Sequence, residues 1–175
     1  MRKLYNHLLL LTLLVFIFIN QGYTQSDYRV QSVFLYNFTR LVAWPAEYQS
    51  GDFIVAVYGN SPIYEEVQTM ASTKRAGSQS IVARNFSNTS DINKCHILYV
   101  PSNQNRRLEE IVETLRSKNI NALIVTDSRN AIRNGSVINF TIVDNRQRFE
   151  LSQSNASQMG LTLGSEISRL AILAD

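Results

Sequence analysis

The sequence predicts a single α/β domain, with a mostly parallel sheet flanked by helices on both faces and a C-terminal antiparallel hairpin. Three observations predict it. Phe53–Tyr58, His96–Val100 and Ala122–Val125 are short, nearly continuous apolar runs, the pattern of strands buried on both faces. Helical segments lie between the runs: one opens after Gly59-Asn60-Ser61-Pro62, and another carries Leu108, Ile111, Val112 and Leu115 on one face. Near the C-terminus, Val137–Val143 and Gln147–Leu151 flank the turn-rich Asp144-Asn145-Arg146, which reads as a hairpin at a mixed edge. Repeats, low-complexity tracts and interdomain linkers are absent from the sequence.

Taken in order, the first element is a helix. Val30, Val33, Phe34, Phe38, Leu41 and Val42 recur at helical spacing and predict one apolar stripe. Pro45 cannot extend a helix and pushes Trp44, the only tryptophan, toward extended geometry, so the helix must stop before Trp44-Pro45. After the Phe53–Tyr58 strand, Ser61 suits an N-cap, Pro62 the first helical position, and Glu65 and Glu66 the positive end of the dipole. Gly77 separates that helix from a strand at Ser80–Arg84, and 85–93 is a polar Asn/Ser/Asp loop. Pro101-Ser102 closes the next strand, with Ser102 placed to cap the following helix. Two short helices, near Gln153–Met159 and Ser165–Ala174, finish the chain around a stop at Gly160.

The N-terminus speaks to compartment. Arg2 and Lys3 precede an apolar run at 8–19 broken only by Thr12, and Gly22 and Thr24 supply small residues for cleavage. This is a secretory signal pattern, giving a signal peptide at 1–25 and a domain at 26–175 in the periplasm; an uncleaved anchor is the competing reading. No cysteine stands directly after the run, which rules out a lipoprotein. Without residues 1–25 the chain holds 15 basic and 14 acidic residues, so the formal charge of +3 falls to +1. Close basic pairs such as Arg106-Arg107 and Arg146/Arg148 have no aromatic–basic array interleaved with them, so nucleic-acid binding is disfavoured.

Candidate chemistry is sparse. Cys95 is the sole cysteine, so no internal disulfide can form, and it reads as a small buried hydrophobe. His96, beside it on a strand, must point the other way, so the two cannot share a metal; no metal or cofactor is expected. Phosphate-loop and nucleophile-elbow patterns are missing, which leaves no catalytic constellation and argues against an enzyme. In an open α/β sheet, ligands collect beyond the carboxyl ends of the strands. Gly59, Asn60, Ser61, Pro101, Ser102, Asp127 and Ser128 would share that rim, although Asp127 and the serines also suit helix caps, and Glu150 reads as a solvated strand residue. Six Asn-x-Ser/Thr triplets, at Asn37, Asn85, Asn88, Asn134, Asn139 and Asn155, fit chance in an Asn-rich chain.

Word order adds a resemblance. Leu35-Tyr36-Asn37-Phe38, Trp44-Pro45, Gly135-Ser136-Val137-Ile138-Asn139-Phe140, Arg148-Phe149-Glu150-Leu151, Ala156, Gly160-Leu161 and Leu170-Ala171 stand in the order of the YfiR-like family of bacterial periplasmic proteins, which the chain resembles. The chain departs from it with Ser152 for the usual Asn and one glycine where two are common. The resemblance implies a periplasmic repressor of an inner-membrane diguanylate cyclase, working with an OmpA-like outer-membrane lipoprotein and able to dimerise. A sensor kinase is the other partner to expect. The family's redox sensing through disulfides does not carry over to a chain with one cysteine. The alternative reading is a small-molecule-binding module linked to a sensor kinase or transporter, using the strand-end rim.

Overall fold

The computed structural model describes residues 21–175, with side chains of the first helix given from Asp27 onward. The charged start and apolar run of the expected signal lie outside the described residues. Helix α1 (Gln21–Leu41) leads into a two-residue strand, β1 (Val42–Ala43), so the stop before Trp44-Pro45 holds. Then follow β2 (Phe53–Tyr58), α2 (Ile63–Thr73), β3 (Arg75–Ala76), β4 (Gln79–Phe86), β5 (Ile97–Val100), α3 (Leu108–Ser117), β6 (Leu123–Thr126), β7 (Ile138–Val143) and β8 (Arg146–Leu151). Helix α4 (Gln153–Gln158), β9 (Thr162–Leu163), α5 (Ser165–Leu170) and β10 (Ile172–Leu173) complete the domain.

The eight-stranded sheet has the order β10-β8-β7-β6-β5-β2-β4-β3. It is mixed, a correction to the mostly parallel sheet expected. A parallel block, β4-β2-β5-β6-β7, is flanked by antiparallel pairings at both ends, β3 with β4 and β8 with β7. Nor is the hairpin the edge, because β10 returns parallel to β8, with Ile172 opposite Glu150. The closing helix is shorter than the sequence predicts; α5 stops at Leu170 and Ala171 is already extended. A two-residue strand offers too little period to announce itself. Residues Asp144 and Asn145 both have positive φ (49° and 57°), the backbone of a tight hairpin turn whose twist matches the strands.

Core positions follow the apolar runs. Strands β5 and β6 are buried at every residue, so both faces of the sheet are covered. On one face, Phe34 and Phe38 of α1 pack edge-on against Phe149 and tilted or stacked on Phe140, with Tyr99 beside them. The expected apolar face of α3 is buried in full: Leu108, Ile111, Val112 and Leu115. Gly135 (φ +96°) brings its loop against that helix so closely that a Cβ there would sit 3.0 Å from Val112 Cγ2.

The stripe of α1 is rotated from the one expected. Val30 and Val33 are exposed, whereas Gln31, Ser32, Leu35 and Phe38 are buried. The buried line runs 31, 35, 38, 42, and its polar first member conceals it from a hydrophobic pattern. Gln31 is tolerated inside because Tyr99 donates its hydroxyl to Gln31 Oε1 (2.9 Å).

Trp44 ties the helix exit to the sheet. Its indole meets Phe53 edge-on at 5.0 Å, and Nε1 donates to the His96 carbonyl (3.1 Å). His96 is buried and structural: Nδ1 accepts the Ile54 N–H (3.0 Å), which leaves Nε2 to donate to the Tyr48 carbonyl (2.8 Å). Burial, the larger cause, and the nearby Lys94 charge hold its pKa below the ordinary histidine value, against an opposing hydrogen bond to Tyr48. Cys95 is fully buried and free, and burial pushes its thiol up to about 12.

Candidate functional site

The parallel block places the ends of β2, β5 and β6 side by side, so the seven rim residues lie along one end of the sheet. They do not form one pocket. Asp127 and Ser128 line a recess of about 510 Å³, whose other walls include Asp27 and Gln31 of α1, Arg129, Asn139 and Glu150. Gly59, Asn60 and Ser61 line a separate, broader recess of about 730 Å³ with Tyr64 and Asn85. The loop after β5 stands between these: Asn103 donates to the Asn60 carbonyl (3.2 Å), and Gln104 packs against Gly59. Pro101 is buried at the start of that loop.

Neither serine caps as expected. The Ser61 hydroxyl is buried with no geometric hydrogen bond and makes no cap to α2, although Tyr28 lies close to it. Ser102 opens a 3₁₀ segment, Ser102–Arg107, and α3 begins only at Leu108. The free Ser102 N–H is satisfied instead by Asp127, whose Oδ1 accepts it at 2.6 Å. The aspartate thus does cap, but across the sheet rather than at the start of its own following segment.

Asp127 sits in a half-buried setting beside two tyrosines. Burial, the dominant cause, raises its pKa above the ordinary aspartate value; the neighbouring Tyr99 hydroxyl and the bond from the Ser102 N–H act in the opposite direction. The Tyr28 and Tyr99 hydroxyls are in turn pushed up, by burial first and by the Asp127 charge second.

Beneath Asp127 lies a network that no sequence motif announces. Asn139 is buried on β7, and its Oδ1 accepts both Thr126 Oγ1 (2.8 Å) and the Ser128 N–H (2.9 Å). Its Nδ2 donates to Glu150 Oε2 (2.8 Å). Ser128 Oγ continues the chain to Asn105 Oδ1 (2.8 Å), and Ser136 bonds Thr126 (3.0 Å). Glu150 does face away from Phe149, as alternation requires, yet it is half-buried and held by Asn139 rather than merely solvated. One signal does exist in the sequence: Asn139 interrupts an apolar run opposite Glu150 in the hairpin register. Four of the Asn-x-Ser/Thr asparagines have hydrogen-bonded side chains: Asn139 here, Asn155, which donates to the Ile132 and Ser136 carbonyls, Asn85, which donates to the Gly59 carbonyl, and Asn88, which donates to Asp91 Oδ2.

Among the described residues no group of three or more His, Cys, Asp and Glu side chains is placed to hold a metal ion. No helix among them is long and apolar enough to cross a membrane. A family model described as YfiR/HmsC-like matches residues 28–172. The chain belongs to that family. The match runs from Tyr28 to Ile172, the first residue of β10, so most of the recess, the Asn139 network and the Trp44 anchor fall within the shared region of this YfiR/HmsC-like domain. No curated protein matches the chain.

Proposed function

We propose that this YfiR/HmsC-like chain is a periplasmic regulatory protein that binds and represses a membrane-bound signalling protein, a diguanylate cyclase by first expectation. Membership of the family over residues 28–172 is the observation that carries the reading. Its chemistry points the same way: His96 is committed by both ring nitrogens and Cys95 is sealed in the core, so neither is offered to a substrate. On this reading residues 1–25 are a cleaved signal peptide, and an OmpA-like lipoprotein is among the partners. N-terminal sequencing of the exported protein tests export, with a start near Gln25 expected and a soluble product beginning at Met1 contradicting it. Deleting the gene should raise cyclic-di-GMP, and unchanged signalling would count against repression.

A second reading, favoured by the recess at Asp127, is that a small molecule binds the strand-end rim and sets the regulatory state. Of the seven rim residues, Asp127 and Ser128 line that recess, Ser102 positions Asp127, and Gly59, Asn60, Ser61 and Pro101 belong to the neighbouring one or the loop between. Loss of solute uptake or retention on deletion, with cyclic-di-GMP unchanged, would favour this reading over repression.

A further inference from the structure

We propose that His96 is an acid-sensitive latch: protonating its imidazole loosens the segment 44–53, which joins α1 to β2, while the rest of the domain stays folded. The hydrogen bonds admit one form of the ring. Nδ1 must be bare to accept the Ile54 N–H at 3.0 Å, and Nε2 must carry the hydrogen that reaches the Tyr48 carbonyl at 2.8 Å. A second proton could go only to Nδ1. It would set two N–H donors face to face and leave the Ile54 N–H without its acceptor. With the residue 1% exposed, water is not at hand to replace the lost bond.

Charge argues the same way from different groups. Among the described residues the ion pair formed is Arg107–Glu110, so no carboxylate pairs with the ring. Glu47 and Asp52 stand exposed on the joining segment. The cations are nearer: Lys94 repels a charged imidazole, and Arg40 of α1 lines the same cleft as the ring. Tyr48 is an uncharged phenol, and the Cys95 thiol, pushed up by burial to about 12, stays neutral. An imidazolium here would thus be enclosed, uncompensated and close to positive charge.

Packing shows which part of the chain responds. Phe53 stacks on the imidazole at 4.1 Å, and Tyr48 and Trp44 meet it edge-on at 5.1 and 5.7 Å. All three belong to the joining segment, which is wrapped around the ring. A cleft of about 290 Å³, lined by Trp44, Tyr48, Phe53, Gly77 and Gln79, lies alongside and gives the wrapping room to shift. The sheet does not depend on the ring, because the His96 main chain is held by the Ile54 carbonyl and the Leu123 N–H. Two further bonds reach Tyr48, from Gln79 Nε2 to its carbonyl (3.0 Å) and from the Asn121 N–H to its hydroxyl (2.9 Å). Acid therefore loosens the segment rather than expelling it. An exported domain meets the pH of the medium, so such a latch would give the proposed regulator an acid response.

Trp44 fluorescence and amide hydrogen exchange of the purified protein, followed from about pH 7.5 to about pH 4.5, test the proposal. Trp44 is the only tryptophan and lies beside the ring, so its emission reports the ring's charge. Wild type should show a one-proton transition below the ordinary histidine value of about 6.5. On its acid side the 44–54 amides should exchange about tenfold or more faster than in His96→Gln at the same pH. His96→Gln keeps an amide acceptor and donor but cannot charge, and should show no transition. The His96 ring resonance, and exchange in the segment against exchange in β5 and β6, give the same reading in wild type if the variant does not fold. Equal profiles in wild type and variant would overturn the latch, as would a ring still neutral at about pH 4.5. Acid-induced exchange that rises in β5 and β6 together with the segment would overturn it too, since the unfolding would then be global.

Discussion

Trp44, His96 and Cys95 show how single residues hold this fold. Trp44 is the hinge pin between α1 and the sheet, packed on Phe53 and bonded to the His96 carbonyl. Truncating a buried aromatic leaves a cavity, so Trp44→Ala should cost about 3–5 kcal/mol in urea unfolding. Trp44→Phe, which keeps the packing and loses the indole bond, should cost clearly less. An unchanged midpoint with lost regulation would instead put Trp44 on a partner surface. His96 adds a pH dependence of defined sign. Its folded pKa is depressed, so the unfolded chain binds a proton that the folded one resists. Its contribution is therefore intact above about pH 6.5 and shrinks as pH falls from there toward the lower folded value. A denaturation midpoint that falls across that window in wild type but less steeply in His96→Gln is the expected result. Cys95, with its thiol at about 12 and no exposure, should resist thiol reagents in the native protein and react once unfolded. Because it has no disulfide partner in the chain, reductant should leave regulation intact.

Whole elements are legible in the sequence to different degrees, for physical reasons. The three buried strands and the α3 face stand out because an apolar run, or an apolar repeat at helical spacing, has few structural origins but burial. The stripe of α1 does not, because a buried glutamine is invisible to a hydrophobic pattern; its place depends on Tyr99, sixty-eight residues away. Ser61 and Ser102 show the same limit for caps: both stand at plausible positions, yet the Ser61 hydroxyl makes no cap bond and the Ser102 N–H is taken by Asp127. At the site, the rim position of Asp127 follows from strand order, whereas Asn139 and Glu150 emerge only when β7 is paired with β8. The hairpin turn gives the element-scale prediction. Asn145 sits at φ 57°, which L residues reach at a cost and glycine does not. Asn145→Gly should stabilise the domain by up to about 1 kcal/mol in thermal denaturation, and a marked loss would contradict the tight-turn assignment.

At the scale of the molecule, the ends of β5 and β6 bring Asp127 and its hydrogen-bonded neighbours to one end of the mixed sheet, where α1 supplies Gln31. Helix α1 contributes Asp27 and Gln31 to that end and Phe34 and Phe38 to the core, so it joins the recess to the body of the domain. The central claim remains repression of a membrane signalling partner, and its most direct measurement is intracellular cyclic-di-GMP in a strain lacking this protein. The account predicts a rise on deletion, reversed by the wild-type chain and equally by Cys95→Ser if that variant is stably folded. Cyclic-di-GMP that stays at the wild-type level in the deletion strain would contradict it.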